Sequence, residues 1–298
     1  MNPKISVIIS TYYRNDLLRE AIESVLDQEY DPVELIVVDD SGEHHAEPVL
    51  SDYDDAQAIV MDEEGGWAAA YTRGIRASTG EYIQLLDDDD YFLEGKLRKT
   101  AEVLQKNPDV GVAYCGVIWG DEGCYEPNPE VSGDILEHAL GFRAFPAWTG
   151  SMLIERDVIL DCLPLADYAG DTDLKIELAL RTQFDYVDEC LALYRREESS
   201  KWVGLKRFEE VKRVVRNQRD LYDQYPDIRR SLLAEWYARQ GDTWLQKRPW
   251  STNAISCYLK STYYASEERV PMALKTVASL FGRPGVTAAR RVKGGTSG

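Results

Sequence analysis

Four consecutive aspartates, Asp87 to Asp90, are the residues of this chain best suited to chemistry. Unit charges about 4 Å apart repel by roughly 4 kcal/mol at an effective dielectric near 20, so the run implies a neutralising cation. Side chains two residues apart on an extended chain point to one side, which directs Asp87 and Asp89 at a single ion. Oxygen ligands alone favour a hard cation such as Mg²⁺, Mn²⁺ or Ca²⁺. A solvated acidic loop is the alternative, but apolar residues on both flanks favour a site at the edge of a core.

The elements that position this run follow an alternating pattern. Strand, helix and strand of this length form a right-handed crossover with parallel strands, so the sequence predicts an α/β fold. The carboxyl ends of such strands share one edge, where small ligands bind, and this brings Thr11, Asp39 and Asp87 together. Strands are predicted at residues 5–10, 33–38, 58–61 and 82–86, with helices at 16–26 and 67–77.

The chain contains neither a Gly-x-Gly-x-x-Gly motif nor a Walker-type loop, so the usual backbone cradles for phosphate are missing. The charge of a bound phosphate would then be met by arginine and by a metal ion on the carboxylates. This combination is typical of a nucleotide-sugar site.

The charge balance narrows the partners and the environment. With 52 Asp and Glu against 34 Lys and Arg, the net charge is −18, which repels nucleic acid. Only 12 of the basic residues are lysine, and excess acid with scarce lysine predicts a salt-adapted, haloarchaeal-like source. Neither a signal-peptide pattern nor a membrane-length apolar stretch is present, which predicts a cytoplasmic location. The cysteines lack a Cys-x-x-Cys pair, which argues against a disulfide framework or zinc site; they are Cys115, Cys124, Cys162, Cys190 and Cys257.

The first half resembles a family 2 glycosyltransferase with the GT-A fold, closely over residues 4–105 and more loosely to about 200. That fold has a Rossmann-like, mostly parallel central sheet flanked by helices. Several motifs in the family's order and spacing carry the resemblance. They are Ser-Val-Ile-Ile-Ser-Thr-Tyr at 6–12, Ala-Ile-Glu-Ser-Val-Leu at 21–26, Leu-Ile-Val-Val-Asp-Asp-Ser at 35–41, Arg-Gly-Ile at 73–75, Gly-Glu-Tyr-Ile at 80–83 and Leu-Asp-Asp-Asp-Asp at 86–90.

The resemblance implies a role for each matching residue on the donor side. Asp87 and Asp89 would form the Asp-x-Asp element that binds Mn²⁺ or Mg²⁺, with Asp89 the more direct ligand. Two departures touch this side: Tyr13 stands where Asn is usual, and Tyr71-Thr72 where Arg-Asn is usual. The implied contacts to the nucleotide-sugar come from Thr11, Tyr13, Asp39, Arg73, Asp87, Asp88 and Arg195.

On the acceptor side, the segment Gly170 to Leu174 resembles the family pattern Glu-Asp-x-Asp-Leu, whose first Asp is the catalytic base. This register places the base on Asp171, with Gly170 at the Glu position. The alternative is that Asp171 only caps a helix. Arg195 and Arg196 match a Tyr-Arg-x-His segment in which one Arg binds the diphosphate, although Glu197 replaces the His.

The remainder of the chain differs in kind. Helical periodicity predicts an all-helical extension over residues 201–293, appended to a catalytic domain at 1–200, with a disordered tail at 294–298. Its helices are predicted at 208–222, 228–240, 251–264 and 271–281, with a turn at Gly241-Asp242. Residues 270–281 are mostly apolar and precede a basic run, which suggests peripheral membrane contact; packing against the catalytic domain is the alternative.

Together these features predict a metal-dependent inverting glycosyltransferase that uses a UDP-sugar. The acceptor would be a hydroxyl of a glycan or a lipid-linked sugar, as in glycoprotein or surface-polysaccharide assembly. A catalytically inactive nucleotide- or carbohydrate-binding module of the same fold is the alternative. A nucleotidyltransferase is disfavoured, since no Gly-rich basic loop follows the first strand.

Overall fold

The computed structural model describes residues 2–166, 168–195, 203–266 and 269–294 of the chain. The chain divides into two compact units at residue 197, and each is described by itself. Among the described residues, no helix combines the length and the apolar character needed to cross a membrane.

The first unit begins with the predicted alternation of strands and helices. Strands β1, β2 and β4 end at the three predicted positions, so that Thr11 lies opposite Asp39 and Ser10 opposite Asp87. The elements are β1 (Ile5–Thr11), α1 (Asn15–Leu26), β2 (Val33–Asp39), α2 (Glu47–Leu50), β3 (Ala56–Val60), α3 (Trp67–Ala77) and β4 (Tyr82–Asp87).

The rest of the unit completes a nine-stranded sheet of order β3-β2-β1-β4-β8-β6-β9-β5, with β7 paired to β6. The first four strands are parallel, β8 runs antiparallel to its neighbours β4 and β6, and β6 pairs in parallel with β9. The further elements are β5 (Tyr91–Phe92), α4 (Lys96–Lys106), β6 (Val110–Trp119), β7 (Cys124–Tyr125), α5 (Leu136–Leu140), β8 (Leu153–Glu155), α6 (Arg156–Leu160), α7 (Asp171–Ala179) and β9 (Gln183–Tyr194).

The core lies between the sheet and its helices. The β1 residues Ile5, Val7 and Ile9 are fully buried, and α1 packs its apolar face, with Leu18 and Ile22, into the same cluster. Burying each such side chain stabilises the fold by roughly 1.5–3 kcal/mol. On α3, glycine is required at position 74, because a Cβ there would lie 2.4 Å from a methyl group of Ile8. This close approach fixes α3 against β1.

A disulfide joins Cys124 and Cys190, whose Cα atoms lie 6.1 Å apart, so the expectation that the cysteines do not pair was wrong. Sequence spacing cannot reveal this pair, since the two residues meet only when the short hairpin β6–β7 folds beside β9. The other three cysteines are free and buried.

The second unit is helical in its described part. Its helices are α8 (Val203–Asn217), α9 (Arg219–Gln224), α10 (Pro226–Lys247), α11 (Thr252–Tyr264), α12 (Arg269–Ser279) and α13 (Gly282–Gly294). The turn predicted at Gly241-Asp242 was wrong, because α10 continues through both residues. A Cβ at Gly241 would lie 2.8 Å from the ring of Tyr258, so this glycine lets α10 and α11 approach closely. Residue 294 ends α13, and the rest of the predicted disordered tail lies outside the described residues.

Candidate active site at the carboxyl ends of the parallel strands

The four aspartates form a turn rather than a continued strand. β4 ends at Asp87, and the chain turns at Asp88 and Asp89. The expectation of an extended segment with alternate side chains on one side was therefore wrong. Instead, the turn gathers carboxylate oxygens of Asp87, Asp89 and Asp90 within 4.8 Å of one another.

Asp87 is half-buried at the end of β4 and accepts a hydrogen bond of 2.8 Å from the hydroxyl of Tyr71 on α3. Burial raises the pKa of Asp87 to about 7, against the Tyr71 hydrogen bond and with help from the charges of Asp89, Asp88 and Asp171. Tyr71 is one of the two residues, Tyr71 and Thr72, at which the sequence departs from the pattern of the resembled family. It supplies a neutral donor to the cluster where an arginine is usual.

Asp90 is the most deeply placed member of the cluster, with 2% of its surface exposed. Its Oδ1 accepts the backbone N–H of Arg195 at 2.9 Å, whereas its Oδ2 is buried without a hydrogen-bond partner in the described structure. Burial raises the pKa of Asp90 to about 9, and the charges of Asp87 and Asp89 act in the same direction. A buried carboxylate with an unused oxygen is costly unless a cation meets it.

Asp88 points towards β1 and is committed to protein contacts. Its Oδ2 accepts the Thr11 hydroxyl at 2.7 Å, and its Oδ1 accepts from Arg14 at 3.2 Å. Arg14 also donates to Asp89 at 2.7 Å. Arg14 therefore neutralises part of the negative charge of the acidic turn through its ion pairs with Asp88 and Asp89.

The residues present fit a hard divalent cation. The donor set of Asp87, Asp89 and Asp90 consists only of carboxylate oxygens, which Mg²⁺ and Mn²⁺ prefer. The buried Asp90 Oδ2 still lacks a partner in the described structure, and burial, together with the charges of the neighbouring carboxylates, raises the pKa values of Asp87 and Asp90, both effects that a bound cation would offset.

Asp39 and Asp40 follow β2 and organise two loops. The oxygens of Asp39 accept the backbone N–H groups of Ser41 and Ala46, at 3.0 and 2.8 Å. Those of Asp40 accept the N–H groups of the Gly65-Gly66 pair that precedes α3, both at 2.8 Å. Each carboxylate thus fixes the loop beside the site and retains lone pairs for a further donor.

Tyr13, predicted on the donor side, lies exposed at the rim. Its φ of 56° is in the left-handed region, and its hydroxyl donates to Glu43 at 3.0 Å. The neighbouring Tyr12 is equally exposed and donates to Glu64. These contacts form an aromatic and acidic rim above the carboxyl ends of β1 and β2.

The structure turns the two predicted arginines away from the acidic turn. Arg73 is exposed on α3 and is not among the residues that line the cavity described below. The guanidinium of Arg195 pairs with Glu20 on α1 and lies 5.2 Å from the centre of the Tyr91 ring. Only the backbone of Arg195 reaches the cluster. Arg196 and Glu197, named with it in the same predicted segment, lie outside the described residues.

Asp171 is the first residue of α7. The cap position before it is occupied by Gly170, which has no side chain that could form a capping hydrogen bond. The alternative that Asp171 only caps the helix was therefore wrong. Its Oδ2 accepts from Lys175 Nζ at 3.1 Å, and Lys175 also donates to the Ala147 carbonyl at 3.0 Å. Asp173 instead closes the preceding loop, since it accepts the N–H groups of Tyr168 and Ala169.

Gly170, at the position where the resemblance would place a glutamate, has a backbone conformation that favours glycine. Its φ of 58° and ψ of −132° are readily adopted only by glycine. This backbone bend sets the direction in which α7 starts. The charge of Asp171 contributes to the raised pKa of Asp87, so the fold places Asp171 within electrostatic reach of the acidic turn.

A cavity of about 370 Å³ opens beside the turn. A larger cleft of about 510 Å³ lies between α1 and residues 91–94, but none of the predicted site residues lines it. We therefore take the smaller cavity as the candidate site. It is lined by Ser10, Tyr12, Arg14, Asp40, Glu64, Gly66, Trp67, Asp87, Asp88, Asp89 and Tyr194.

Several residues of this site were not predicted from the sequence, among them Arg14, Asp90 and Lys175. Arg14 had a usable signal, since it is the only basic residue between Lys4 and Arg19 and follows the first strand. Asp90 was not predicted as a ligand, because side chains alternate on an extended chain and Asp90 would point away from Asp89. Lys175 is four residues after Asp171, the spacing of an ion pair on a helix.

Comparison with known proteins identifies the family of the chain. Residues 6–161 match the family model described as glycosyl transferase family 2. This match covers more than half of the chain, and the chain therefore belongs to glycosyltransferase family 2. Its fold is the GT-A fold that the sequence motifs predicted.

Two relatives illustrate the similarity. An uncharacterised glycosyltransferase of Rickettsia typhi is 36% identical over 206 residues, which cover 65% of this chain and 64% of that protein. The glucosyl-dolichyl phosphate glucuronosyltransferase of Haloferax volcanii is 32% identical over 130 residues, or 42% of this chain and 41% of that protein. The chain thus matches less than two thirds of the length of these relatives.

Solved structures share the fold. Residues 1–349 of S. aureus TarS, in complex with UDP-GlcNAc, give a TM-score of 0.65 at 16% identity, covering 98% of this chain and 92% of that one. A mannosyltransferase of Pyrobaculum calidifontis, in complex with GDP-Man and Mn²⁺, gives 0.54 at 17% identity, covering 100% and 77%. At these identities the likeness establishes the fold alone.

Proposed function

We propose that this protein is a metal-dependent inverting glycosyltransferase that moves a sugar from a UDP-sugar to a hydroxyl of a glycan or lipid-linked sugar. The observation that carries the proposal is the carboxylate cluster of Asp87, Asp89 and Asp90, with an unpartnered buried oxygen, beside a cavity and within electrostatic reach of Asp171. The UDP-GlcNAc and Mn²⁺ bound by proteins of the same fold support the choice of donor and cation.

On the donor side, Asp87, Asp89 and Asp90 would hold Mn²⁺ or Mg²⁺. When bound, the cation neutralises the diphosphate that leaves. Arg14 lines the same cavity and would meet the diphosphate from the α1 side, a task for which the fork of an arginine is well suited. Thr11 and Asp39 would bind the nucleoside, with Tyr13 at the rim.

On the acceptor side, Asp171 would remove the proton of the acceptor hydroxyl. The oxygen of that hydroxyl then attacks the anomeric carbon from the face opposite the diphosphate. The bond from the anomeric carbon to the diphosphate oxygen breaks, its electron pair leaves with the UDP, and the anomeric configuration inverts. Lys175 holds the Asp171 carboxylate by a bond of 3.1 Å and is itself fixed by the Ala147 carbonyl, so it acts as a positioning residue.

Calorimetric titration of UDP into the protein tests the donor half of this proposal. We expect binding in the presence of Mn²⁺ and its loss in EDTA or in Asp89→Ala. Asp171→Asn should bind UDP and Mn²⁺ as the wild type does. Binding of equal strength in EDTA would overturn the metal assignment, whereas UDP binding without any turnover would indicate the inactive module.

We further propose that residues 1–200 form the catalytic domain and that the helical extension at 201–293 contacts a membrane. Residues 198–298 hold 19 of the 34 basic but only 10 of the 52 acidic residues, a net charge of +9 in a chain of −18. The extension also exposes large apolar side chains. On α11 and α12 and just after α12 they include Leu259, Tyr263, Val270, Leu274, Val277 and Phe281, each more than half exposed.

Positive charge beside exposed apolar side chains fits an anionic membrane surface, at which a lipid-linked acceptor would be reached from the cytoplasm. Co-sedimentation with phosphatidylglycerol vesicles tests this. The double variant Leu274→Asp and Phe281→Asp should release the protein, whereas Leu26→Asp, an exposed apolar position on α1, should not. Equal sedimentation of both variants, or none for the wild type, would contradict membrane contact.

Adaptation to salt is also proposed, because residues 1–197 carry 42 acidic against 15 basic side chains. Screening of this repulsion should raise the unfolding temperature as KCl increases from about 0.1 M, where the Debye length is roughly 10 Å. The glucuronosyltransferase relative from Haloferax volcanii supports such an origin. An unfolding temperature that falls with salt would contradict it.

A further inference from the structure

Five aromatic rings form a continuous cluster on the acceptor side of the candidate site. Their centres lie 4.2 Å apart for the stacked pair Trp119 and Tyr194, 5.1 Å for Trp148 and Tyr194, and 5.5 Å for Trp119 and Phe145. Tyr125 completes the set, 5.3 Å from Phe145 and 6.3 Å from Trp119. We call these five residues the aromatic platform.

The sheet places the platform at the end of two paired strands. Trp119 ends β6 and Tyr194 ends β9, and the parallel register sets them opposite each other. β7 then brings Tyr125 alongside Val117 of β6. The disulfide from Cys124 to β9 ties this short strand down, so Tyr125 is held next to the stacked pair.

The platform is continuous with the proposed catalytic residues. Tyr194 lines the cavity together with Asp87, Asp88 and Asp89. Burial raises the pKa of Tyr194 to about 12, and among the carboxylates that add to this effect is Asp171. The rings therefore begin where the proposed base and the acidic turn meet.

The far end of the platform is open to solvent. Tyr125 and Phe145 each keep 38% of their surface exposed, whereas large apolar side chains of the core are buried almost completely. Exposed aromatic rings with polar neighbours are typical of ligand sites rather than of a closed core. The open end thus extends the site beyond the cavity.

The chemistry of such rings selects a particular ligand. An aromatic ring carries negative charge on its face, and the C–H bonds on one side of a pyranose ring carry partial positive charge. Stacking of the two also removes apolar surface of both from water. We propose that the aromatic platform is an acceptor subsite that stacks on a pyranose ring, so that the acceptor hydroxyl belongs to a sugar rather than to a lipid alcohol or an amino-acid side chain.

This inference rests on the proposed function and is tested by a measurement that needs no transfer reaction. In saturation-transfer NMR, methyl glycosides of glucose, galactose, mannose and N-acetylglucosamine are added to the protein with UDP and Mn²⁺. We expect saturation of the pyranose C–H protons in the wild type. Glycerol, which has hydroxyls but no ring, should show none.

The double variant Tyr125→Ala and Phe145→Ala should weaken glycoside binding by about two- to twelvefold, the range for loss of aromatic contacts worth roughly 0.5–1.5 kcal/mol. Tyr125→Phe and Phe145→Tyr keep both rings and should bind as the wild type does. Pyranose signals that are absent in the wild type, or unchanged in the alanine variant, would overturn the subsite.

UDP binding in the same samples separates the two failures. The alanine variant should retain Mn²⁺-dependent UDP binding, because neither altered residue lines the donor cavity. If the wild type binds UDP but gives no pyranose signals, the aromatic platform is rejected and the proposed function is not. Absence of UDP binding in the wild type rejects the proposed function, whatever the glycosides show.

Discussion

Asp90→Asn should stabilise the metal-free protein, and the gain should grow with pH. Asp90 is 2% exposed, and only one of its oxygens has a partner. Burial and the nearby carboxylates raise its pKa, to about 9, so folding must keep a proton on it that the unfolded chain releases near pH 4. Stability conferred by the protonated form is therefore lost as pH rises from about 4 towards 9.

The magnitude follows from proton linkage and from the geometry. Each pH unit in that window costs the wild type at most about 1.4 kcal/mol for a single proton. Between pH 5 and 7 the asparagine variant should therefore gain up to about 2.7 kcal/mol relative to the wild type. A charged carboxylate at 4.8 Å, the upper limit of the separations within the cluster, would add roughly 3.5 kcal/mol of repulsion at an effective dielectric near 20, which is of the same order.

Thermal unfolding in EDTA at pH 5 and pH 7 provides the assay. One kcal/mol corresponds to a shift of about 2–4 °C for a protein of this size class, so the gain at pH 7 should be several degrees. Added Mn²⁺ should reduce the difference in unfolding temperature between the Asp90→Asn variant and the wild type, because the wild type binds the cation more tightly and is stabilised more by it. Asp39→Asn is the control and should destabilise, because both of its oxygens accept backbone N–H groups.

An Asp90→Asn variant that matches the wild type at both pH values would refute this reasoning. So would a variant that is less stable at pH 7 than at pH 5 relative to the wild type. Either result would mean that the protein already compensates the ionised form of Asp90, so that no proton is taken up on folding.

Three further predictions concern the proposed base Asp171, its partner Lys175, and Glu34 near the start of β2. Asp171→Asn should lower turnover by about two orders of magnitude or more with UDP affinity unchanged, and near-wild-type turnover would exclude Asp171 as the base. Lys175→Met should lower kcat by a smaller factor, with the KM for the donor unchanged. Burial raises the pKa of Glu34, but hydrogen bonds from Ser6, Thr79 and Lys4 outweigh it and lower that pKa to about 2. Glu34→Gln should therefore cost roughly 1–2 kcal/mol at pH 7, a difference that disappears as pH falls from 4.5 to about 2; urea unfolding at both ends of this window checks it, and a constant difference would contradict it.

The strands that carry the site were predictable, because alternation of apolar strands and amphipathic helices is a local pattern. The register of Thr11, Asp39 and Asp87 at one edge followed from the parallel topology. The composition of the carboxylate cluster did not follow. The chain turns at Asp88 and Asp89, and this turn adds Asp90 to the cluster, which the alternation of a strand would not do. A run of four identical residues contains no sequence pattern that predicts such a turn.

Contacts between distant segments were the other limit. Lys175 reaches Asp171 along one helix and could have been inferred from spacing, but the pairing of Cys124 with Cys190 depends on how β7 folds beside β9. Gly241 shows the reverse error, since a residue that breaks helices locally sits inside α10 to admit the Tyr258 ring. Packing decided this position, and local propensity did not.

Turnover of nucleotide-sugars shows directly whether a cation on the aspartate turn supports sugar transfer. The protein is incubated with UDP-sugars, a glycoside acceptor and Mn²⁺, and the release of UDP is followed in the wild type, in EDTA and in Asp89→Ala. We expect a release of UDP that depends on the acceptor and that stops in EDTA and in the Asp89→Ala variant. Release at an undiminished rate in EDTA, or equal release by Asp89→Ala, would contradict a cation held by the aspartate turn as the basis of sugar transfer.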